Sequence, residues 1–113
     1  MLSDPKWNKK VEVELDEVSQ HILRAVDYII QHGWCQNELA SNDGRVCLQG
    51  ALIETDPNNS VIAPQRTIAF LDANRRIRRA IGNGLYSHDW NDVPIRTKED
   101  VIAKLREAAY LGK

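Results

Sequence analysis

The chain has 113 residues, 15 basic against 16 acidic, with a formal net charge of −1 and two cysteines. That near-balance excludes a global preference for nucleic acid, an anionic membrane or a basic partner, so any such preference must be local. The length suits one domain over residues 1–113, whose core buries roughly two thirds of the unfolded surface without needing a disulfide or a metal.

No apolar run approaches the roughly eighteen residues of a membrane span, and the opening Met1-Leu2-Ser3-Asp4-Pro5-Lys6 lacks a secretory pattern. A cytoplasmic protein is expected, without a membrane partner and with Cys35 and Cys47 as thiols. Val11, Val13 and Leu15 alternate with Glu12 and Glu14, a strand period too short to find a partner, so residues 1–15 are expected as an extended or loosely ordered lead-in.

From Asp16 to His32, Val18, Ile22, Ala25, Val26, Ile29 and Ile30 recur at three- and four-residue steps. Asp16 reads as the cap and Gly33 as a left-handed stop. A polar stretch then ends in Asn42-Asp43-Gly44, a turn signal. After it, Val46-Cys47-Leu48-Gln49-Gly50-Ala51-Leu52-Ile53 predicts a short central helix whose Gly50 and Ala51 admit another helix closely. Asp56-Pro57-Asn58-Asn59-Ser60 breaks the chain.

A third helix is predicted from Pro64 to the stop at Gly82-Asn83-Gly84, with Phe70, Asn74, Ile77 and Ile81 along one stripe and Ile68 and Leu71 beside it. A polar loop from Trp90 follows, in which Pro94 pushes Val93 out of helical dihedrals. Thr97 and Asp100 then form a capping pair for a helix running to about Leu111. That helix buries Val101, Ile102, Leu105, Ala108 and Ala109, and Gly112 ends it. The expected fold class is therefore all-α, a compact bundle of about four helices.

Three blocks carry a family likeness: Gly33-Trp34, Cys47-Leu48-Gln49-Gly50-Ala51-Leu52, and Trp90-Asn91-Asp92 leading through Pro94 to Arg96-Thr97. With them the chain resembles, from about Asp16 to Gly112, a family of small bacterial and bacteriophage proteins known as a domain of unknown function. The resemblance implies a helical fold and brings no activity. Cys35 departs from the family pattern, which counts against a mechanism needing both thiols.

Several constellations invite chemistry. His32-x2-Cys35 with Cys47 and His88 supplies zinc-ligand types, yet there is no second close pair and a chain of this length folds without metal, so no metal and no cofactor is assigned. Cys47 near a helix N-terminus, where the dipole lowers a thiol pKa, could be a nucleophile with His88 as base and Asp92 or Asn91 as orienter. Against it, Val46-Cys47-Leu48 reads as a packed, inert run and no glycine-rich oxyanion motif accompanies it, so no catalytic residue is assigned.

Arg75, Arg76, Arg78 and Arg79 could hold the phosphates of a nucleic acid or nucleotide. The alternative is that they complement the helix dipole and pair with acids such as Glu54 or Asp72, and no aromatic interleaves them. Asn91 and Asp92, with Trp90 and with Arg45 and Arg96 as carboxylate partners, form either a rigid binding loop or an Asx turn that fixes the loop. Trp34 and Trp90 read as core anchors. With no assembled catalytic motif, the expected function is a helical protein that binds another macromolecule, in the first place a protein, as a bacteriophage or mobile-element accessory factor. Nucleic acid is the alternative partner.

Overall fold

The computed structural model of the chain describes residues 15–57 and 67–111. Among the described residues five helices follow in order: α1 Glu17–His32, α2 Leu48–Glu54, α3 Ile68–Ile81, α4 Ser87–Asn91 and α5 Lys98–Leu111. The described residues form no strand, only isolated bridges that pair Val46 with Trp34 and with Ala40. The all-α expectation holds, with α4 as the helix that periodicity did not disclose. Residues 1–14, Pro64 and Gly112, on which parts of that reading fall, lie outside the described residues.

Every helix but α4, whose N-cap Tyr86 makes no side-chain cap, begins where a side chain can take up its unpaired N–H groups. Asp16 accepts from the Ser19 N–H at 2.8 Å and opens α1. Thr67, rather than Pro64, starts α3, accepting from the Phe70 N–H at 3.1 Å while its own hydroxyl donates to Asp56. Thr97 and Asp100 cap α5 reciprocally, each side chain taking the other's backbone N–H at 3.1 Å, the capping-box arrangement with aspartate in the role of glutamate. At the C-terminal ends α3 stops at Gly82 as expected, and that residue is left-handed (φ 79, ψ −6). Gly33 also needs a positive φ, but its ψ of 168 sends the chain out extended instead of curling it back.

The core is built from Ile22, Ala25, Val26 and Ile29 of α1, Leu48, Ala51 and Leu52 of α2, Phe70, Ala73 and Ile77 of α3, Trp90 of α4, and Val101, Leu105, Ala108 and Ala109 of α5. Ala108 and Ala109 let α1 approach until the Ser19 hydroxyl donates to the Ala109 carbonyl at 2.6 Å. At the other edge of α1, buried His21 donates from Nε2 to the Leu52 carbonyl at 2.8 Å. Ile30, expected inside, is exposed, because it lies about 100° round the helix from Ile29. Ile68 and Leu71 are likewise exposed, and Ala73 and Arg76 take the inward face of α3 with Phe70 and Ile77.

Gly50 is required for a reason other than the expected helix approach. A β-carbon there would sit 2.1 Å from the Leu39 carbonyl oxygen, so it is a loop carbonyl that crosses α2, and even alanine is excluded.

Arg76 locks α3 to the start of α1. Its guanidinium donates to both Asp16 oxygens at 3.1 and 2.9 Å and to the Ser19 hydroxyl at 2.8 Å. The Arg76 hydrogen bonds, with help from the Ser19 N–H, hold the Asp16 carboxyl well below the usual carboxylate range. A carboxyl depressed in the folded state adds stability that is fully present above its unfolded pKa, near 4, and is lost as pH falls below it. We therefore expect Arg76→Met to cost about 2 kcal/mol at neutral pH and to flatten the acid limb of stability, read as urea midpoint against pH. An unchanged acid limb in the variant would contradict this.

Candidate functional site

The residues singled out in the sequence divide into a joint that is internal and a groove that faces out. The joint is centred on Asn91, which is fully buried at the end of α4. Its Oδ1 accepts from the Trp34 indole at 2.7 Å and from the Leu48 N–H at 3.1 Å, and its Nδ2 donates to the Cys35 carbonyl at 3.3 Å and to Asp92 Oδ1 at 2.9 Å. The Leu48 N–H belongs to the first turn of α2, so Asn91 caps that helix from outside the chain segment. Asp92 in turn accepts the Asn37 N–H at 2.9 Å, supporting Asn37 at φ 69, a left-handed conformation that asparagine tolerates better than most residues. Gln36 closes the joint by donating to the Asn91 and Val93 carbonyls at 2.9 and 2.8 Å.

Neither arginine suggested for Asp92 pairs with it. Arg45 binds Asp43 at 2.9 Å within its own turn. Arg96 donates to the Trp90 carbonyl at 3.0 Å and lays its guanidinium 3.9 Å from the centre of the Trp90 ring. Trp90 is buried and Trp34 half-buried, so the loop is fixed by stacking and backbone bonds, with Asp92 acting on the 33–47 loop.

Cys47 is the cap residue of α2, its sulfur accepting the Gly50 N–H at 3.3 Å. Burial pushes its thiol pKa up, and this outweighs the backbone N–H groups of Gly50 and Gln49 that act in the opposite direction. The lowering expected from the helix N-terminus is thus overcome. Cys47, His88 and Asp92 do border one shallow depression of about 270 Å³ with Asn37, Glu38, Leu39 and Gln49. However, His88 Nδ1 meets the Gln49 amide at 3.3 Å and its Nε2 faces Asp89 at 3.4 Å, so the ring is aimed away from a role as base to the thiol. The zinc-type residues are equally dispersed. His32 stacks on Tyr28 at 4.1 Å, Cys35 directs its thiol at the Glu38 and Arg45 carbonyls, 3.6 Å from each, and no group of three or more His, Cys, Asp or Glu among the described residues could hold a metal ion.

The arginine cluster is split by the helix. Arg76 points inward to Asp16 as described, and Arg75 pairs with Asp72 at 2.7 Å. Arg78 instead lies 4.2 Å from the centre of the Tyr86 ring and donates to the Gly84 carbonyl at 3.4 Å. Tyr86 was not foreseen as an aromatic partner of the cluster; the signal for it is Gly82-Asn83-Gly84, which turns the chain back so that a residue eight positions on returns to Arg78.

Around this pair opens a groove of about 540 Å³, lined by Gln49 of α2, Phe70, Leu71, Asn74, Arg75 and Arg78 of α3, and Tyr86, Ser87 and His88 at the start of α4. A polar row forms one wall: Gln49 Nε2 donates to the Ser87 hydroxyl at 3.1 Å, and that hydroxyl donates to Asn74. Asn74 Nδ2 then donates to the Phe70 carbonyl at 3.2 Å. Leu71 and Tyr86 keep about half their surface exposed beside it, at 46% and 54%. The groove thus combines apolar side chains with two guanidinium groups on one wall, and its lining holds no carboxylate and no thiol.

Fold and site together define a small all-α protein whose conspicuous polar residues serve its own loops. The chain belongs to a family of unknown function, DUF6197, whose model matches residues 13–111, a span that takes in all three sequence blocks. No curated protein and no solved structure matches it.

Two outcomes follow. Asn91→Asp preserves shape but removes the donor to Cys35 and sets a charge beside Asp92, so it should lower stability by about 3 kcal/mol, measured by urea unfolding; a loss below about 1 kcal/mol would show that the joint is dispensable. Cys47 in the native protein should react with iodoacetamide roughly 100-fold more slowly than in the unfolded chain. Mass spectrometry of time points checks this, and equal rates would mean the thiol is accessible and activated.

Proposed function

We propose that this protein is a non-enzymatic interaction protein of the cytoplasm, an accessory factor of bacteriophage or mobile-element kind, that grips a partner protein through the groove between α3 and α4. The observation that carries this reading is the groove itself. Leu71 and Tyr86 are large apolar side chains left half-exposed around a cavity of about 540 Å³, within the size range of ligand and anchor pockets. Exposed apolar surface rimmed by polar groups is the usual mark of a binding face. Both cysteines are free and buried, which suits a reducing compartment. No helix among the described residues is long and apolar enough to cross a membrane.

A nucleic-acid partner is the second reading, favoured by one feature, the Arg78 guanidinium on the Tyr86 ring, since arginine and an aromatic side by side suit stacked bases. Burial of Arg76 weakens it.

A photo-crosslinking residue placed at Tyr86 in the full chain, expressed in the cells that make it, tests the choice. The expected product is a discrete adduct that is sensitive to protease, resistant to nuclease and reduced roughly tenfold by Leu71→Asp. The same pattern of adducts from a crosslinker at exposed Arg106 of α5 would sink the groove reading, and a nuclease-sensitive adduct would replace the protein partner with nucleic acid.

A further inference from the structure

The groove discriminates among occupants by charge and by hydrogen-bonding type. Leu71, Arg75 and Arg78 stand at i, i+4 and i+7 of α3 and so share one stripe along its wall. Among the described residues no carboxylate pairs with Arg78, whose contacts are the Tyr86 ring and the Gly84 carbonyl. Arg75 has Asp72, but that ion pair is exposed, and exposed pairs contribute little enough to be exchanged for a ligand carboxylate. The rim is therefore locally cationic on a chain whose net charge is −1.

On the opposite wall, Gln49 uses its Nε2 toward Ser87 and His88. Its Oε1 has no partner among the described residues, which leaves one acceptor of this lining residue open. The base is apolar, formed by Phe70 and Leu71.

We propose, on the reading of the groove as a protein-binding face, that its occupant is an acidic peptide segment carrying one bulky apolar side chain. The apolar side chain seats on Phe70 and Leu71, carboxylates meet Arg75 and Arg78, and a peptide N–H meets Gln49 Oε1. A polynucleotide fits less well. Its backbone offers no N–H donor, and with Arg76 buried against Asp16 the face retains too few cations for the roughly 6–10 phosphate contacts typical of nucleic-acid binders.

Fluorescence anisotropy of the full chain tests this with four fluorescein-labelled probes. They are a decapeptide of Asp and Glu with a central Trp, the same peptide with Ser for Trp, the same with Lys for every acid, and a ten-nucleotide oligo-dT. The acidic Trp peptide should bind with a Kd on the order of tens of micromolar. Binding should weaken roughly tenfold or more in the Arg75→Glu, Arg78→Glu double variant, in Leu71→Asp and on replacing Trp by Ser, and should persist in Arg106→Glu. These positions are exposed, and circular dichroism of each variant confirms the fold before titration.

Equal binding of the acidic and lysine peptides, or indifference to the arginine variant, overturns the acidic preference. If such binding is still lost in Leu71→Asp, the groove itself stands as the binding face. Tighter binding of oligo-dT overturns the peptide in favour of nucleic acid. Failure of all four probes overturns the inference, and the Tyr86 crosslink then decides separately whether the groove is used at all.

Discussion

The structure depends on one buried carboxamide. An asparagine side chain has two acceptor positions and two N–H donors, and Asn91 fills all of them with groups from the Gly33–Cys47 region, the first turn of α2 and its own neighbour Asp92. No apolar residue could do this, because Trp34 Nε1, the Leu48 N–H and the Cys35 carbonyl would each be left without that partner. The arrangement solves a local problem: fifteen residues lie between α1 and α2 and form no helix of their own, so they need side chains to organise their backbone groups. Asn91, Asp92 and Gln36 supply them, and the Leu39 carbonyl crossing Gly50 completes the seam.

The same bonds engage the motifs that look chemical. Cys47, Asn91 and Asp92 are the residue types of a nucleophilic site, and the fold brings Cys47, Asp92 and His88 to one depression. Yet a thiol that accepts a helix N–H and is raised in pKa by burial is a poor nucleophile, and an asparagine with every valence engaged cannot orient a base. The same chemistry that would build a catalytic triad builds a cap and a joint. What distinguishes the two outcomes is the direction of the hydrogen bonds, which a residue pattern does not encode.

The elements legible in the sequence were those defined by local rules. α1 and α5 carry caps and long periodic stripes, and both appear nearly where expected. α3 was placed too early, since Pro64 suits a first helical position, whereas Thr67 actually caps the helix with Asp56 behind it. α4 spans five residues, less than two turns, too short for periodicity to register. The inward turn of Arg76 was half legible: it follows Ala73 by three and precedes Ile77 on the buried face. Its partner is sixty positions away in sequence, and no local rule points there. Tyr86 escaped for the related reason that only the turn at Gly82-Asn83-Gly84 brings it to Arg78.

The contacts of Arg76 and of Asn91 also determine what kind of surface the groove is. One wall is α3, fixed to α1 through the Arg76 fork on Asp16. The other is the start of α4, whose far end is Asn91 in the buried joint, and the same joint holds α2 and therefore Gln49. Each wall is anchored by a charged or fully bonded polar group on its inner side, while Leu71, Arg75, Arg78, Tyr86 and Gln49 line the groove. A groove built this way is preformed: its walls need not be ordered when a ligand arrives, so a ligand loses less entropy on binding than it would to a loop. Arg78 shows the principle in miniature. Its contact with the Tyr86 ring restrains both side chains, and apart from the N–H at the Gly84 carbonyl its donors meet no carboxylate among the described residues, so under the proposed reading the contact that orders the rim leaves donors for a ligand carboxylate.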